Sequence, residues 1–317
     1  MHKKLKIKFV DFAPGVDVTT QLYYRLISAR FDIELSDTPD YVFSGGLGGG
    51  HFAYPNAVTI LRLAENDCPN FSEWDYATGF DSLAFGDRYL RVPLFAYWTT
   101  EFYPLVNRKK SMTDEELLNR KFCSFVVSNA TFADPIRRKF FERLSKYKKV
   151  DSGGRWLNNV GGPVKDKLEF CRGYKFNIAF ENSAYDGYTT EKIMEAYAAE
   201  SVPIYFGNPT IETDFRLESM VRVKDESDIE RAVEEVIRLD NDDSAYLAKC
   251  RERCFAVPDP MVYERELEAF LVHIFEQPLE QARRRARYGH QAMMREHMRK
   301  LMKLDQWIGK ARQVLHV

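Results

Sequence analysis

The hydrophobic and polar positions in the first third of the chain alternate between strand-like and helix-like periods. Residues 4–12 alternate as a strand, and residues 19–29 place Leu22, Leu26 and Ala29 on one helical face. Further strands are predicted at residues 40–43, 58–63, 82–85 and 90–93. Together these elements predict a first α/β block, and we place a linker at the charged residues 107–111 and the short predicted helix that follows them.

A second block begins at residues 122–127, a nearly continuous apolar run of the kind found in parallel strands covered on both faces. Further strands are predicted from Val150 and at residues 176–180 and 202–206, and helices at residues 134–146, 190–199 and 227–239. Alternating strands and helices are typical of a doubly wound parallel sheet. The sequence therefore predicts an α/β chain with two facing Rossmann-like domains, whose ligands bind at the carboxyl ends of strands.

Composition narrows the class of protein. The chain has 317 residues, of which 45% are hydrophobic and 29% charged, the balance of a globular protein with room for two domains. A net charge of -1 argues against a nucleic-acid partner. No apolar run approaches the ~18 residues of a membrane span, and the first residues lack a signal-peptide core. Five scattered cysteines fit a reducing compartment, so we expect a cytoplasmic protein.

The charge is unevenly distributed. Residues 278–317, here called the basic tail, hold 10 Lys or Arg against 3 Asp or Glu, a balance of +7, so the rest of the chain has a balance of -8. A heptad pattern joins Met294, Leu301, Leu304, Ile308, Ala311 and Leu315. The tail is thus predicted to form a homodimeric coiled coil, lie peripherally on an anionic membrane surface, or pack on its own body. The predicted division is 1–120, 121–277 and 278–317.

Candidate chemistry concentrates where a buried strand ends at Phe180 and is predicted to deliver Glu181, Asn182 and Ser183 to the cleft. A helix is predicted to open just before Glu191 and Lys192. A lysine at the positive end of a helix is locally disfavoured, and an anion bound there would reverse that cost. Tyr188 is placed to stack on or hydrogen-bond the same ligand. The alternative is that Glu191 and Lys192 are solvated charges at the helix start.

This segment resembles the α-1,3/4-fucosyltransferases, glycosyltransferase family 10. Their hallmark is Phe-Glu-Asn-Ser, then Tyr-x-Thr-Glu-Lys, then Val-Pro-x-x-x-Gly. The matching positions are residues 180–183, residues 188–192, and Val202, Pro203 and Gly207. Upstream similarity to bacterial members lies at residues 64–66, 69–71, 75–81, 88–93 and 125–129. The resemblance covers about residues 5–275 and leaves the basic tail aside.

The resemblance implies a GT-B fold, with an acceptor-binding domain followed by a domain that binds GDP-β-L-fucose. It implies transfer of L-fucose with inversion to the GlcNAc of a Galβ1-4GlcNAc-type acceptor, as in Lewis x synthesis. An α-1,4 or dual outcome, or glucose in place of GlcNAc, stays open. It also implies that Asn182, Tyr188, Glu191 and Lys192 hold the donor, with Lys192 on the diphosphate. Arg155, in the glycine-rich turn at residues 152–158, is the implied diphosphate arginine.

Inversion requires a carboxylate that takes the proton of the attacking hydroxyl. Glu65 follows a predicted strand of the first block and matches the family's Glu-Asn-x-x-Pro-Asn-Phe motif, so the resemblance implies that Glu65 is the base. Asp67 and Glu73 are the nearby alternatives for the base. The structural alternative is that Glu65 only caps the turn that follows it.

Other motifs are set aside. The D-x-D at Asp240 and Asp242 is interpreted as a helix-end turn, and Cys250 and Cys254 have no further zinc ligands nearby. His51 and His273 show no evident partners and are interpreted as packing or loop residues. We therefore expect no required cofactor or metal, with stimulation by a divalent ion left open. A transferase for another nucleotide sugar and a non-catalytic glycan-binding protein remain the alternatives.

Overall fold

The structure is a computed structural model that describes residues 2–107 and 111–315, without the side chains of residue 306 and of residues 309–315. Most of the charged stretch predicted as a linker, residues 108–110, lies outside the described residues. The same holds for the side chains of Ala311 and Leu315 in the heptad pattern. Two compact units form: the first unit comprises the residues up to Val92 and those from Tyr263 onward, and the second unit is Pro93–Val262.

The first unit is built on a six-stranded sheet in which every pairing is parallel. Its strands are β1 (Lys3–Val10), β2 (Phe31–Leu35), β3 (Tyr41–Ser44), β4 (Val58–Arg62), β5 (Tyr76–Gly79) and β6 (Tyr89–Arg91). Their spatial order is β2-β1-β3-β4-β5-β6. The predicted strand at 82–85 is wrong, because the chain at 76–79 takes that place in the sheet. Tyr-Ala-Thr-Gly is fully buried there, although it is not an apolar run.

The α-helices of the first unit come from its two separate segments. They are α1 (Leu22–Ser28), α9 (Val262–Glu276), α10 (Leu279–Ala282) and α11 (His290–Leu315), numbered along the whole chain. Phe275 of α9 packs edge-on against Tyr41 and Phe31, with ring centroids 4.9 and 5.6 Å apart. Lys3 Nζ donates to the Phe275 carbonyl at 2.6 Å. The compact units therefore divide after Val92 and Val262, whereas the predicted boundaries lie after residues 120 and 277.

The basic tail is tied to the first sheet by Arg285. Its Nε lies 2.9 Å from Asp75 Oδ2, and its other nitrogens donate to the carbonyls of Glu73 and Ala57 at 3.2 and 2.6 Å. The backbone N–H groups of Arg284 and Arg285 both donate to Asp75 Oδ1 at 2.7 Å. Asp75 is fully buried. Contacts of Arg284, Arg285, Arg295 and Met302 with the first unit show that this part of the tail packs on its own body, one of the three predicted arrangements.

We expect Arg285→Ala to lower the free energy of unfolding by about 3–5 kcal/mol, because the change leaves the buried Asp75 carboxylate without its countercharge. Urea denaturation measures this. Arg30→Ala, which removes an exposed ion pair with Glu268 in the same unit, serves as the matched control with an expected loss below about 1 kcal/mol. Equal losses in the two variants would contradict the anchoring role of Arg285.

The second unit is built on a five-stranded sheet, again with every pairing parallel. Its strands are β7 (Lys121–Phe125), β8 (Val150–Ser152), β9 (Tyr174–Phe180), β10 (Val202–Phe206) and β11 (Val221–Arg222). Their spatial order is β11-β10-β9-β7-β8, so β9 is the central strand. All seven residues of β9 are buried, as expected of a parallel strand covered on both faces.

Helices of the second unit cover this sheet, and the loops that connect these helices to the strands lie at its edge. They are α2 (Thr99–Asn107), α3 (Asp114–Leu118), α4 (Ile136–Ser145), α5 (Lys167–Arg172), α6 (Glu191–Ala198), α7 (Ile229–Asn241) and α8 (Asp243–Arg251). The core combines apolar faces of α4 and α7 with strand residues such as Phe176, Ile178 and Ile204. The predicted α/β class is thus confirmed in both units. Within the described part of the chain, no helix has the length and apolar character that crossing a membrane requires.

Candidate functional site

A buried carboxylate lies where the central strand of the second unit ends. Glu181 follows the last residue of β9, is fully buried, and its N–H donates to the Phe206 carbonyl at 2.8 Å. Its carboxylate accepts hydrogen bonds from the backbone N–H and the hydroxyl of Thr190, both at 2.7 Å. Thr190 is the residue immediately before α6. Glu181 therefore fixes the first turn of α6 to the carboxyl end of β9.

Lys192 lies between two carboxylates in the first turn of α6. Its Nζ is 3.2 Å from Glu181 Oε2 and 3.2 Å from Glu191 Oε1, and it donates to Thr190 Oγ1 at 2.9 Å. The side chains of Lys192 and Glu191 are only 18% and 22% exposed. The alternative that these are solvated charges at a helix start is therefore wrong.

The pKa values in this cluster reflect competition between burial and pairing. Burial raises the pKa of Glu181, and the pairing with Lys192 only partly opposes this. Burial alone would lower the pKa of Lys192, but Glu181 and Glu191 together raise it above the ordinary lysine value. Burial works against ionisation of Glu191, yet Lys192 and Lys167 hold its pKa below the usual range. Lys192 therefore stays charged at neutral pH.

Arg137 is a site residue that the sequence reasoning missed. Its guanidinium donates to Asn182 Oδ1 at 3.1 Å and to the Phe180 carbonyl at 3.2 Å, and its side chain is 1% exposed. The Nε of Arg137 is buried with no hydrogen-bond partner among the described residues. A run of basic residues usually marks an exposed helix face. The signal that could have found Arg137 is its spacing with Phe140 and Leu144, which form the buried face of α4.

Asn182 and Tyr188 position the loop that joins β9 to α6. The Asn182 carbonyl accepts from the N–H of Asp134 at 2.7 Å, while its side chain accepts from Arg137. Tyr188 is nearly buried, at 3% exposure, and electrostatic interaction with its phenol helps to raise the pKa of Lys192. The structure thus places Asn182, Tyr188, Glu191 and Lys192 in the loop and helix start that follow β9.

Gly207 allows the close approach of β10 to Glu181. A Cβ at this position would lie 2.4 Å from Glu181 Cγ, and its φ of 151° is in the region that favours glycine. This geometry gives a physical reason for glycine after the Val-Pro of the motif.

We expect Gly207→Ala to lower the free energy of unfolding by about 1–3 kcal/mol and to displace Glu181 from Thr190. Thermal unfolding measures the first effect. Gly162→Ala is the matched control, because Gly162 has a φ of 141° in the same unit and a Cβ added there would meet no described atom within 4 Å. If both variants lose equally, backbone conformation and not contact with Glu181 explains the glycine.

Arg155 is not in contact with the cluster of Glu181, Glu191 and Lys192. It is exposed, follows β8, and makes no hydrogen bond or ion pair with another residue that the structure describes. The turn before it is constrained, since a Cβ on Gly154 would lie 1.9 Å from the Val127 carbonyl oxygen. The structure therefore places Arg155 in the same unit as Lys192 but shows no contact between Arg155 and the cluster.

Glu65 belongs to the first unit. It is exposed and lies just beyond the end of β4, and its carbonyl accepts from the N–H of Asp67 at 2.8 Å. Asp67 Oδ1 in turn accepts from the Cys68 N–H at 2.8 Å. Glu73 accepts from Asn70 Nδ2 at 3.0 Å and lies 3.7 Å from His51 Nε2. The carboxylates of Asp67 and Glu73 therefore help to hold the conformation of their own loop.

The two histidines that were set aside differ in their surroundings. His51 is 3% exposed, with Nδ1 3.7 Å from Asp11 Oδ2 and Nε2 3.7 Å from Glu73 Oε2, and neither ring nitrogen has a hydrogen-bond partner among the described residues. His273 Nε2 lies 2.9 Å from Asp87 Oδ2, so the expectation that it lacks a partner is wrong. His51 also packs on the Trp74 ring, with centroids 4.0 Å apart, so its packing role is confirmed.

The D-x-D motif is a helix-end turn, as predicted. Asp242 accepts from the Ala245 N–H at 3.0 Å and caps α8, while Tyr147 donates to Asp240 at 3.0 Å. In the described part of the chain, no group of three or more His, Cys, Asp or Glu side chains is placed to hold a metal ion. The expectation that no metal is required stays a prediction.

Two all-parallel sheets, with a buried ion cluster at the carboxyl edge of one, define a two-unit Rossmann-like α/β protein of the GT-B class. Two family models match the chain. The "Alpha-(1,3)-fucosyltransferase FucT N-terminal domain" matches residues 7–98, and "Glycosyltransferase family 10 (fucosyltransferase) C-term" matches residues 118–254.

Individual proteins agree with the family models. The α-(1,3)-fucosyltransferase FucT of Helicobacter pylori is 36% identical over 276 residues, which cover 76% of this chain and 57% of that protein. The chain therefore spans little more than half the length of that relative. A crystal structure of an α1,3-fucosyltransferase with GDP is 31% identical, with a TM-score of 0.75, covering 87% of this chain and 91% of that one. A crystal structure of an α1,3-fucosyltransferase with GDP-fucose is also similar to this chain. It is 30% identical, with a TM-score of 0.74, and the match covers 87% of this chain and 92% of that one. This chain belongs to glycosyltransferase family 10, the fucosyltransferases.

Proposed function

We propose that the chain transfers L-fucose from GDP-β-L-fucose to a sugar hydroxyl, with inversion at the transferred carbon. The observation that carries this proposal is Lys192, held by Glu181 and Glu191 in the first turn of α6. It is supported by the relatives, which include an α1,3-fucosyltransferase with bound GDP-fucose.

On the donor side, we assign the diphosphate to Lys192 and to the backbone N–H groups at the start of α6. A helix N-terminus and a fixed cation both favour an anion. Charge builds up on the departing GDP, so a cation that is already in place stabilises the transition state without reorganisation. Glu181 and Arg137 act as positioning residues, since they contact Lys192, Thr190 and Asn182. Glu191, Tyr188 and Asn182 contact donor hydroxyls or the nucleoside in this assignment, and Arg155 is a further phosphate ligand.

On the acceptor side, Glu65 takes the proton from the attacking hydroxyl. A carboxylate base raises the nucleophilicity of that oxygen as the bond to the sugar forms. Its negative charge also stabilises oxocarbenium character. The exposed position of Glu65 just after β4, together with its match to the family's Glu-Asn-x-x-Pro-Asn-Phe motif, favours Glu65 among the three. In this assignment no metal is required, because Lys192 supplies the positive charge, and stimulation by a divalent ion stays open.

The acceptor that we propose is the GlcNAc of a Galβ1-4GlcNAc unit, giving an α-1,3 linkage of the Lewis x type. The support is the name of the Helicobacter pylori relative and of the solved structures, which are α-1,3 enzymes. An α-1,4 or dual outcome requires different contacts to the acceptor ring, and product analysis distinguishes these outcomes.

The end of the basic tail has its own proposed role, in a cytoplasmic enzyme. Leu301, Leu304 and Ile308 of α11 are 53%, 51% and 37% exposed. We assign this face to a peripheral membrane contact or to a homodimer. Truncation after Lys300 keeps Arg285 and removes these side chains, so altered membrane recovery or altered mass in solution is expected. Unchanged values of both would contradict the two roles.

The experiment that tests the proposed function is linkage analysis of the product formed from GDP-fucose and N-acetyllactosamine. We expect an α-1,3-fucosylated GlcNAc, with the same yield in the presence of EDTA. GDP-mannose and UDP-sugars serve as donor controls. Transfer from one of these in preference to GDP-fucose would assign the chain to another nucleotide sugar, and no turnover of any donor would favour a glycan-binding protein.

A further inference from the structure

A second concave site lies wholly within the first unit, between the basic tail and the elements around β4 and β5. It is a cavity of about 340 Å³, large enough for a small ligand. Five arginines line it, all from the basic tail: Arg283, Arg285, Arg287, Arg295 and Arg299. The donor assignment does not use any of these residues.

The charges around this cavity do not balance. Arg285 is paired with Asp75, and Arg299 with Glu296. Arg283 and Arg287 share a single carboxylate, that of Glu280. These three carboxylates serve four of the guanidinium groups. The carboxylate of Glu73 attracts the fifth arginine, so five guanidinium groups face four carboxylates.

That fifth arginine, Arg295, is held by neutral groups. Its two terminal nitrogens donate to the carbonyls of Ser72 and of Ala286. Burial, together with repulsion from Arg285, lowers the pKa of Arg295. The Nε of Arg283 is also buried without a hydrogen-bond partner among the described residues. A bound anion would supply both a countercharge and an acceptor.

We propose that this cavity binds a phosphate-bearing ligand, through a phosphomonoester or a diphosphate group. The remaining positive charge favours an anion, and guanidinium groups are suited to phosphate oxygens because their N–H groups form a planar fork. The same chemistry is offered by a soluble phosphate compound and by the headgroup of an anionic lipid. The site is independent of the proposed transfer reaction.

The test is calorimetric titration of the full chain with pyrophosphate, in the presence of saturating GDP so that the donor site is occupied. If GDP does not bind to the parent chain, the Lys192→Ala variant is titrated with pyrophosphate without GDP. This variant lacks the cation that we assign to the donor diphosphate, so binding in the cavity is measured separately from the donor site. We expect one pyrophosphate site in both titrations. A second arm measures co-sedimentation with phosphatidylcholine vesicles, with and without phosphatidate.

Two changes probe the cavity with matched controls. Ala292→Glu adds a carboxylate to the lining of the cavity without removing an arginine, and Gln291→Glu adds the same charge at an exposed neighbour outside the lining. The double variant Arg287→Gln, Arg299→Gln removes two positive charges from the lining of the cavity. These arginines pair with the exposed carboxylates of Glu280 and Glu296. The control for the double variant is Arg30→Gln, which removes an exposed arginine from the same unit. Each cavity change is expected to weaken binding by at least about tenfold, or about 1.4 kcal/mol.

The proposal is supported if pyrophosphate or phosphatidate vesicles bind to the parent chain and the controls but not to the cavity variants. Binding of pyrophosphate indicates a soluble phosphate compound as the ligand, and binding of vesicles indicates a lipid headgroup. Absence of binding in both arms overturns the proposal. Binding that changes equally in the cavity variants and their controls also overturns it, because general electrostatic attraction would then account for the result. Thermal unfolding of each variant separates loss of the site from loss of the fold.

Discussion

Replacing Lys192 with alanine is expected to weaken GDP binding by at least about 100-fold, which is about 2.7 kcal/mol at 25 °C. The variant loses the cation that we assign to the diphosphate. It also leaves Glu181 and Glu191 as neighbouring carboxylates at the place where the anion would bind. Burial raises the pKa of Glu181, and losing the pairing with Lys192 raises it further. Isothermal titration with GDP measures the affinity.

The matched control is Lys175→Ala. Lys175 lies near the start of the same strand, β9, is 11% exposed, and has Asp240 within 3.8 Å. This control removes a similarly buried lysine at the other end of the strand, so we expect GDP affinity to stay within about threefold of the parent value. GDP binding that survives in Lys192→Ala, or that falls equally in the control, would contradict the donor assignment.

Replacing Glu65 with glutamine is expected to lower the transfer rate by about 10²–10⁴-fold while GDP affinity stays unchanged. Glutamine has nearly the same shape but cannot accept the proton of the acceptor hydroxyl. Because Glu65 is exposed, the variant should unfold at the same temperature as the parent. Initial rates of transfer to N-acetyllactosamine, at saturating GDP-fucose, measure the effect.

Two neighbouring carboxylates provide the controls for Glu65. Asp67→Asn keeps an acceptor for the Cys68 N–H, and Glu73→Gln keeps a partner for Asn70, so both loops should persist. Each is expected to retain more than about half of the parental rate. Near-normal turnover in Glu65→Gln, together with a large loss in one of the other two, would move the role of base to that residue.

The two inner strands β9 and β10 of the second unit were predictable from the sequence because they are largely apolar runs, whereas β11 (Val-Arg) was not predicted. Residues 176–180 and 202–206 were predicted as strands, and the structure has β9 and β10 at those positions. The first unit was harder. β5 carries Thr78 and Gly79 in buried positions, and β2 carries Asp32 and Glu34, so neither shows an apolar run. Pairing with neighbouring strands decides such segments, and hydrophobic pattern alone does not reveal it.

The candidate site was predictable in its residues but not in its connections. The spacing of Glu191 and Lys192 at a helix start indicated a charged site, and the family resemblance indicated Tyr188 and Asn182. The sequence did not show that Glu181 is the buried partner of Lys192 and Thr190, because that contact joins residues from two different elements. Arg137 was missed for the same reason, since its partners are the end of β9 and the following loop.

The return of the chain from the second unit to the first sheet affects biosynthesis. The second unit is continuous in sequence, whereas the first needs both the residues before Pro93 and the segment that carries Phe275 and Arg285. On the ribosome, the early strands therefore lack the arginine partner of Asp75 until the segment that carries Arg285 has been translated. We expect the continuous unit to complete its folding during that interval, before the first unit does.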